Sequence, residues 1–302
     1  MTVSQVVKAL GYSKNSLPTV RTRLASLEKK GYISSIYLPT DRKGNFPKIF
    51  YLVSPALEYL RDEGYDVAHR FRPTEQKEKQ YLFLKHTLAV NDVLIAAKQV
   101  EKQFPQVTLY EFRHERELKR DPEKFTITLY HETESDTEEA KVWKQEEFYF
   151  VPDAFLDFRM EQENKTLRAA ILLELDRDTT ERRRFQEKIR GILTYLKSDR
   201  HVKRYKARKI TVAFVTTGTQ KRVEKMREWT RNELAKTHDT WDYGKTFVFT
   251  ALPHKIDPDT QRELDELDDI DPAQLFLSPV WEFPFTDKKG FKKVAILAPE
   301  PL

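Results

Sequence analysis

The sequence predicts an α/β protein, α+β overall, in which a small module of helices and one hairpin precedes a larger domain built on a mixed sheet. Two observations carry this. Up to Glu63, helical spacing of apolar residues is punctuated by glycines and interrupted by a pair of short strands. From Val107 onward, apolar runs of strand length alternate with amphipathic stretches of helical spacing. With 302 residues, 39% of them apolar and 12% aromatic, the chain has enough material for two cores.

Val3, Val6, Val7 and Leu10 have helical spacing and stop at Gly11, which suits the left-handed turn after a helix. In the second helix Ser16 is the expected cap, Pro18 fits the first turn, Val20, Leu24 and Leu27 form the expected buried stripe, and Gly31 ends it. Thr19, Arg21, Thr22 and Arg23 are left toward solvent. Two strands, Tyr32 to Leu38 and Lys48 to Val53, flank a polar turn containing Arg42 and Lys43. This is the order of a winged helix-turn-helix, whose second helix enters the major groove while the wing meets phosphate. The competing reading is a small helical cap with solvated charges. Winged helices usually have a further helix ahead of this pair, which is here missing or supplied by another part of the protein.

Residues 54–63 close this module as one more helix. The boundaries expected are 1–72 for the DNA-binding module, 73–79 for a polar linker, 80–255 for the α/β domain and 256–302 for a carboxyl-terminal extension. In the α/β domain the pattern reads as a long helix (Gln80 to Gln103), strands at Val107 to Phe112, Phe125 to Tyr130, Phe148 to Phe158 and Leu167 to Asp176, a helix (Thr179 to Lys197), a strand (Lys209 to Thr216), a helix (Thr219 to Lys236) and a strand (Thr246 to Leu252).

Charge and composition narrow the chemistry. The net charge is +5, but residues 1–80 hold 14 Lys and Arg against 8 Asp and Glu, so the rest is near neutral. A basic module on a neutral body suits a polyanion, because neutralised phosphates release counterions. The absence of cysteine excludes disulfides, thiolate metal sites and Cys nucleophiles. No apolar run approaches the ~18 residues of a membrane span and no secretory leader is visible, so no membrane partner and a cytoplasmic location are expected. Eight glycines without GxxxxGK or GxGxxG exclude a nucleotide loop, and seven scattered histidines without HExxH argue against a zincin. His86 reads by default as a core histidine, and Glu132 to Glu147 as a solvated acidic loop.

Two acidic signals remain. Pro152-Asp153 sits in an aromatic strand, and Glu174-Leu175-Asp176 ends the apolar run Ala169 to Leu173. Alternation along a strand puts Glu174 and Asp176 on one face, ~7 Å apart. With Asp153 from a neighbouring strand they make an all-oxygen set of the kind Mg²⁺ or Mn²⁺ takes. Such a site suits phosphodiester hydrolysis with a lysine to stabilise transition-state charge. Burying Phe185, Ile189, Ile192 and Leu196 sets Lys188 and Tyr195 on the shoulder of their helix, toward the acidic strand end, with Arg184 beside them. Each acid alone also fits a solvated strand end, and Tyr195 a packing aromatic.

The order Glu115, Pro152-Asp153, Glu174-x-Asp176, Lys188 resembles the PD-(D/E)xK nucleases, except that Asp176 stands where their lysine usually follows the Glu. More broadly, the stretch Arg21 to Ile33, the helix with His86 and Asn91-Asp92, Phe112 with Glu115, Val151 to Ala154, Leu173 to Arg177, and Lys188 with Tyr195 resemble the replication-relaxation family of bacterial plasmids and integrative elements. The resemblance implies a winged helix followed by a PD-(D/E)xK-like domain. It implies catalytic roles for Asp153, Glu174, Asp176, Lys188 and Glu115, with the first three as Mg²⁺ or Mn²⁺ ligands. DNA is the implied partner, with other replication or mobilisation proteins and a homodimer as further assemblies. Some similar proteins are relaxases that nick plasmid DNA; others are replication-control or accessory proteins, and both functions are carried forward.

Overall fold

A computed structural model of the chain describes residues 1–37, 48–65, 67, 81–132, 141–162, 165–236, 240, 242–256, 263–267, 273–285 and 293–297. The protein is mixed α/β, as expected, and divides into two compact units, Met1–Gln99 and Val100–Leu302. Among the described residues no helix is long and apolar enough to cross a membrane.

In the first unit, α1 (Val3–Leu10) opens on a reciprocal cap: the Thr2 side chain accepts from the Gln5 N–H and the Gln5 side chain accepts from the Thr2 N–H. It ends at Gly11, whose φ of 68° favours a residue without a Cβ. A 3₁₀ turn, Lys14–Ser16, leads into α2 (Leu17–Lys29). Ser16 does not cap α2 as expected. The preceding turn already holds its backbone in the helical region, whereas a capping side chain needs an extended one. Val20 and Leu24 are buried with Val7, Ile33 and Phe50, but Leu27 is 40% exposed, because this small core closes around the first turns of α2. Strands β1 (Ile33–Tyr37) and β2 (Lys48–Leu52) pair antiparallel from Ile33–Leu52 to Tyr37–Lys48. Glu28 ties α2 to this hairpin by accepting from Ser35 and, at 2.6 Å, from Lys48.

Among the described residues the unit also contains α3 (Ser54–Asp62) and α4 (Tyr81–Gln103). The sequence reading set α4 at the head of the second domain; the division falls near its end instead. The reason is polar. The Gln5 amide donates to Leu88 O and Asp92 Oδ1 at 2.8 and 2.9 Å, and the Gln99 amide donates to Lys8 O and Ala9 O at 2.7 and 3.2 Å. Those two carbonyls lie at the end of α1, where Lys8 O also accepts from the Gly11 N–H at 2.9 Å. Helix α4 therefore supplies the further helix that this module needs. The wing tip with Arg42 and Lys43, and the linker 73–79, lie outside the described residues.

The second unit contains, in chain order, β3 (Val107–His114), α5 (Glu115–Leu118), β4 (Glu123–Glu132), β5 (Lys141–Phe150), β6 (Ala154–Gln162), β7 (Lys165–Asp176), α6 (Arg182–Lys197), α7 (Arg200–Tyr205), β8 (Thr211–Thr216), α8 (Gln220–Leu234), β9 (Phe247–Ala251), β10 (His254–Ile256), β11 (Glu263–Leu267), α9 (Gln274–Leu277), β12 (Trp281–Glu282) and β13 (Lys293–Val294). Among the described residues, seven strands form one mixed sheet in the order β13-β12-β9-β8-β7-β6-β3, with β7, β8 and β9 parallel. Helices α6 and α8 cover one face. Their Phe185, Ile189, Ile192, Val223 and Met226 share a core with Phe155, Leu172, Phe214 and Phe249 of the sheet.

Three local expectations change. The run Phe148 to Phe158 is two strands, broken around Pro152, which has no N–H to offer a ladder. The described parts of the acidic stretch, Glu132 and Lys141–Glu147, belong to the β4–β5 ribbon, paired from Glu123–Phe150 to Glu132–Lys141. Part of the 256–302 extension joins the main sheet, where Glu282 pairs with Phe249. The ribbon also packs on α6 through a close contact. A Cβ added at Gly191 would collide with the Phe148 ring. Gly191→Val is therefore expected to lower stability by ~1–3 kcal/mol through overpacking, read as a lower urea midpoint. An unchanged midpoint would show that the ribbon yields freely.

Candidate functional site

Antiparallel pairing of β6 with β7 sets Ala154 opposite Leu173, so Asp153 and Glu174 meet at the end of the sheet. Asp153 is anchored by its own backbone, whose N–H donates to Leu173 O at 2.9 Å, and its Oδ2 accepts from the Leu175 N–H at 2.7 Å. Its carbonyl accepts from the Glu115 N–H at 2.9 Å, which brings the first residue of α5 alongside. One carboxylate oxygen of Glu115 and one of Asp153 lie within 4.8 Å of each other. Glu115 also pairs with Lys119, one turn on.

Glu174 and Asp176 lie two and four residues beyond Leu172, which packs under α6, so alternation turns both toward that helix. Glu174 is 1% exposed and its Oε2 receives a hydrogen bond from Lys188 Nζ. The burial of Phe185, Ile189, Ile192 and Leu196 sets Lys188 on the helix shoulder, where the spacing predicted it. Desolvation works against the lysine's charge, yet Glu174, then Asp153 and Asp176, outweigh it and hold its pKa above the ordinary lysine value. Lys188 is thus a proton-bearing cation at neutral pH. It can stabilise negative charge.

Asp176 is engaged differently. Its Oδ2 accepts from Arg222 Nε at 2.8 Å, Thr216 Oγ1 at 3.0 Å and the Asp178 N–H at 2.9 Å, while Oδ1 accepts from Arg222 Nη2 at 2.8 Å. Burial pushes its pKa up, but the Arg222 fork and the other donors prevail and hold it below the usual carboxylate range. The same guanidinium reaches Thr180 O at 2.8 Å, so Arg222 ties the end of β7 to the connection leading into α6. The expected trio is therefore divided: Asp153 stands with Glu115, Glu174 with Lys188, and Asp176 with Arg222.

Arg222 escaped sequence reading. The available signal was its place four residues before Met226 and beside Val223 on the apolar side of α8, where an arginine needs a buried acid. Tyr195 is fully buried, stacked on Phe125 and tilted against Phe150, a packing aromatic. Arg184 is exposed, and His86 belongs to α4 of the first unit. Thr19, Arg21, Thr22 and Arg23 all lie exposed on α2, as its buried stripe requires.

The family described as replication-relaxation matches the chain over residues 1–213, from α1 into β8. That range takes in the exposed face of α2 together with Glu115, Asp153, Glu174, Asp176 and Lys188. No curated protein and no solved structure matches the chain.

The Arg222–Asp176 fork gives a signed pH dependence. Because folding lowers the Asp176 pKa, its stabilising contribution is complete above the unfolded value of ~3.9 and is lost as pH falls through the folded value. In Arg222→Met the buried carboxylate has no cation and its pKa rises. The variant's deficit against the parent should then grow from pH 4 to pH 7 and reach ~3–5 kcal/mol, measured by urea unfolding. A deficit that stays flat with pH would assign the loss to packing instead.

Proposed function

We infer that this chain, which belongs to the replication-relaxation family, binds DNA through its first unit and nicks it at the acidic end of β7 in a divalent-metal-dependent reaction serving replication or mobilisation of a bacterial plasmid or other mobile element. The observation that carries the reading is the meeting of Glu115, Asp153, Glu174 and Lys188 at one sheet end, contributed by α5, the start of β6, the end of β7 and α6. A protonated lysine beside buried carboxylates is what hydrolysis of a phosphodiester asks of a protein.

Glu115, Asp153 and Glu174 are the residues that would hold a Mg²⁺ or Mn²⁺ ion, since the set is all oxygen and Glu115 and Asp153 already approach each other. When bound, such an ion lowers the pKa of an attacking water and polarises the phosphate. Lys188 would hold its proton and place positive charge against the phosphate oxygens, with Glu174 orienting its ammonium. Asp176, already saturated by Arg222, would set the strand end on which Glu174 sits. In the first unit, Arg21 and Arg23 would meet phosphates while Thr19 and Thr22 face the groove, with Arg42 and Lys43 as wing contacts.

A second reading is a DNA-binding regulator or replication accessory protein whose nuclease-like domain is degenerate. The observation in its favour is that Lys188 pairs directly with Glu174 and Arg222 saturates Asp176, which leaves Glu115 and Asp153 as the ready ligands.

Supercoiled-plasmid relaxation with and without Mg²⁺ or Mn²⁺ separates the two. We expect metal-dependent nicking that Asp153→Ala or Glu174→Ala abolishes and that Lys188→Ala slows by ~10²–10³-fold. A folded parent protein that binds plasmid DNA and never nicks it establishes the accessory reading. For the first unit, Arg21→Ala with Arg23→Ala should lower the slope of log affinity against log salt by ~0.9 per lost duplex phosphate contact. An unchanged slope would remove α2 from the DNA interface.

A further inference from the structure

After residue 80 the sequence holds 39 Lys and Arg against 40 Asp and Glu, yet Lys197 to Lys209 contains seven cations and the single acid Asp199. This basic segment runs from the end of α6 through α7 to the approach to β8. Two of its cations are answered by an acid: Arg200 and Arg204 both pair with Glu123, at 3.4 and 3.3 Å. Lys203, Lys206, Arg208 and Lys209 stay exposed. Like charges so close repel one another, and a polyanion relieves that repulsion.

The corner is also held rigidly. Asp199 and Lys206 flank α7 with φ of 53° and 51°, a left-handed backbone that residues other than glycine adopt at a cost of about 1 kcal/mol. Arg168 of β7 keeps that geometry in place. Its guanidinium donates to Lys206 O and, at 2.6 Å, to Tyr205 O, while its Nε pairs with Asp157 at 2.9 Å. The Tyr205 ring stacks on Phe155 with centroids 4.2 Å apart, and the His201 ring nitrogen contacts Arg208 O at 3.3 Å. Strain maintained by buried contacts, in a segment that presents four exposed cations, is a reason to look for a ligand.

We propose that the corner formed by Lys203, Lys206, Arg208 and Lys209 is a second nucleic-acid site that grips the phosphate backbone of DNA without reading its sequence. Arg168 lies six residues from Glu174 along β7, which at strand rise is ~20 Å. DNA crossing the acidic sheet end would therefore be held about six base pairs away, at the ~3.4 Å rise of each strand. Such an anchor fixes a strand's path past the carboxylates, whose own charge repels phosphate. This inference rests on the chain binding DNA and not on its cutting DNA.

The test is a salt titration of the full chain against labelled duplex of arbitrary sequence, in EDTA so that nicking plays no part. The variant Lys203→Gln, Lys206→Asn, Arg208→Gln, Lys209→Gln keeps at position 206 a residue that tolerates the left-handed backbone. Its slope of log affinity against log salt is expected to fall by ~2 or more, at ~0.9 per lost contact. Should the fourfold variant unfold, Lys206→Asn with Lys209→Gln should still lower the slope by ~1 or more. Lys221→Gln with Lys225→Gln on α8, both exposed, is the matched loss of charge and should leave the slope nearly unchanged. An unchanged slope in the folded corner variants overturns the proposal, as does an equal fall in the control pair. Loss of poly-glutamate binding with DNA binding intact would also overturn it, in favour of an acidic polypeptide.

Discussion

The second unit depends on answering carboxylates that its sheet buries. Asp157, Glu174 and Asp176 are 1, 1 and 5% exposed, and a carboxylate removed from water without a partner is strongly destabilising. Each has a cation: Arg159 of the same strand and Arg168 of β7 for Asp157, Lys188 of α6 for Glu174, Arg222 of α8 for Asp176. These pairs add direction to an otherwise non-directional apolar core. Arg222 is the most connected, since its fork on Asp176 and its bond to Thr180 O set where β7 stops and α6 starts.

The same economy shows in the first unit, where two glutamines do what charges do in the second. Gln5 and Gln99, both buried, bind α1 to α4 through main-chain carbonyls and Asp92. A helix that the linear order puts after the winged module is thereby part of its fold. The exposed face of α2 remains available because Val20 and Leu24, with Leu17 beside them, secure that helix to the core from its other side.

Much was legible from order and spacing. Periodicity identified α1, α2, α4, α6 and α8 and the strands β3, β6, β7, β8 and β9 of the central sheet, because burying one face of an element imposes its repeat on the residues. The candidate residues were legible for the same reason: a run as apolar as Ala169 to Leu173 must be a buried strand, so acids at its end are held beside the core. Less legible was any feature whose partner is distant in sequence. The far part of the β4–β5 ribbon, beyond Tyr130, looks like an acidic loop because Asp and Glu crowd that stretch of sequence, and β12 is two residues long, too short for a pattern. The hidden break at Pro152 was written in the sequence, in a residue unable to donate to a ladder.

The sequence by itself determined the fold class, the face of α2 that meets solvent, and the alignment of Glu174 and Asp176 on one side of a strand, because these follow from local repeat and the alternation of side chains. Which cation answers which acid was decided only in three dimensions. Arg222 lies 46 residues from Asp176 and Lys188 lies 14 from Glu174, and although helical spacing turns both toward the sheet, nothing local says which acid each one meets. Only the parallel pairing of β7 with β8, and the packing of α6 and α8 on one face, bring them within reach. A buried charge selects its partner by geometry, and that geometry exists only once the sheet is assembled.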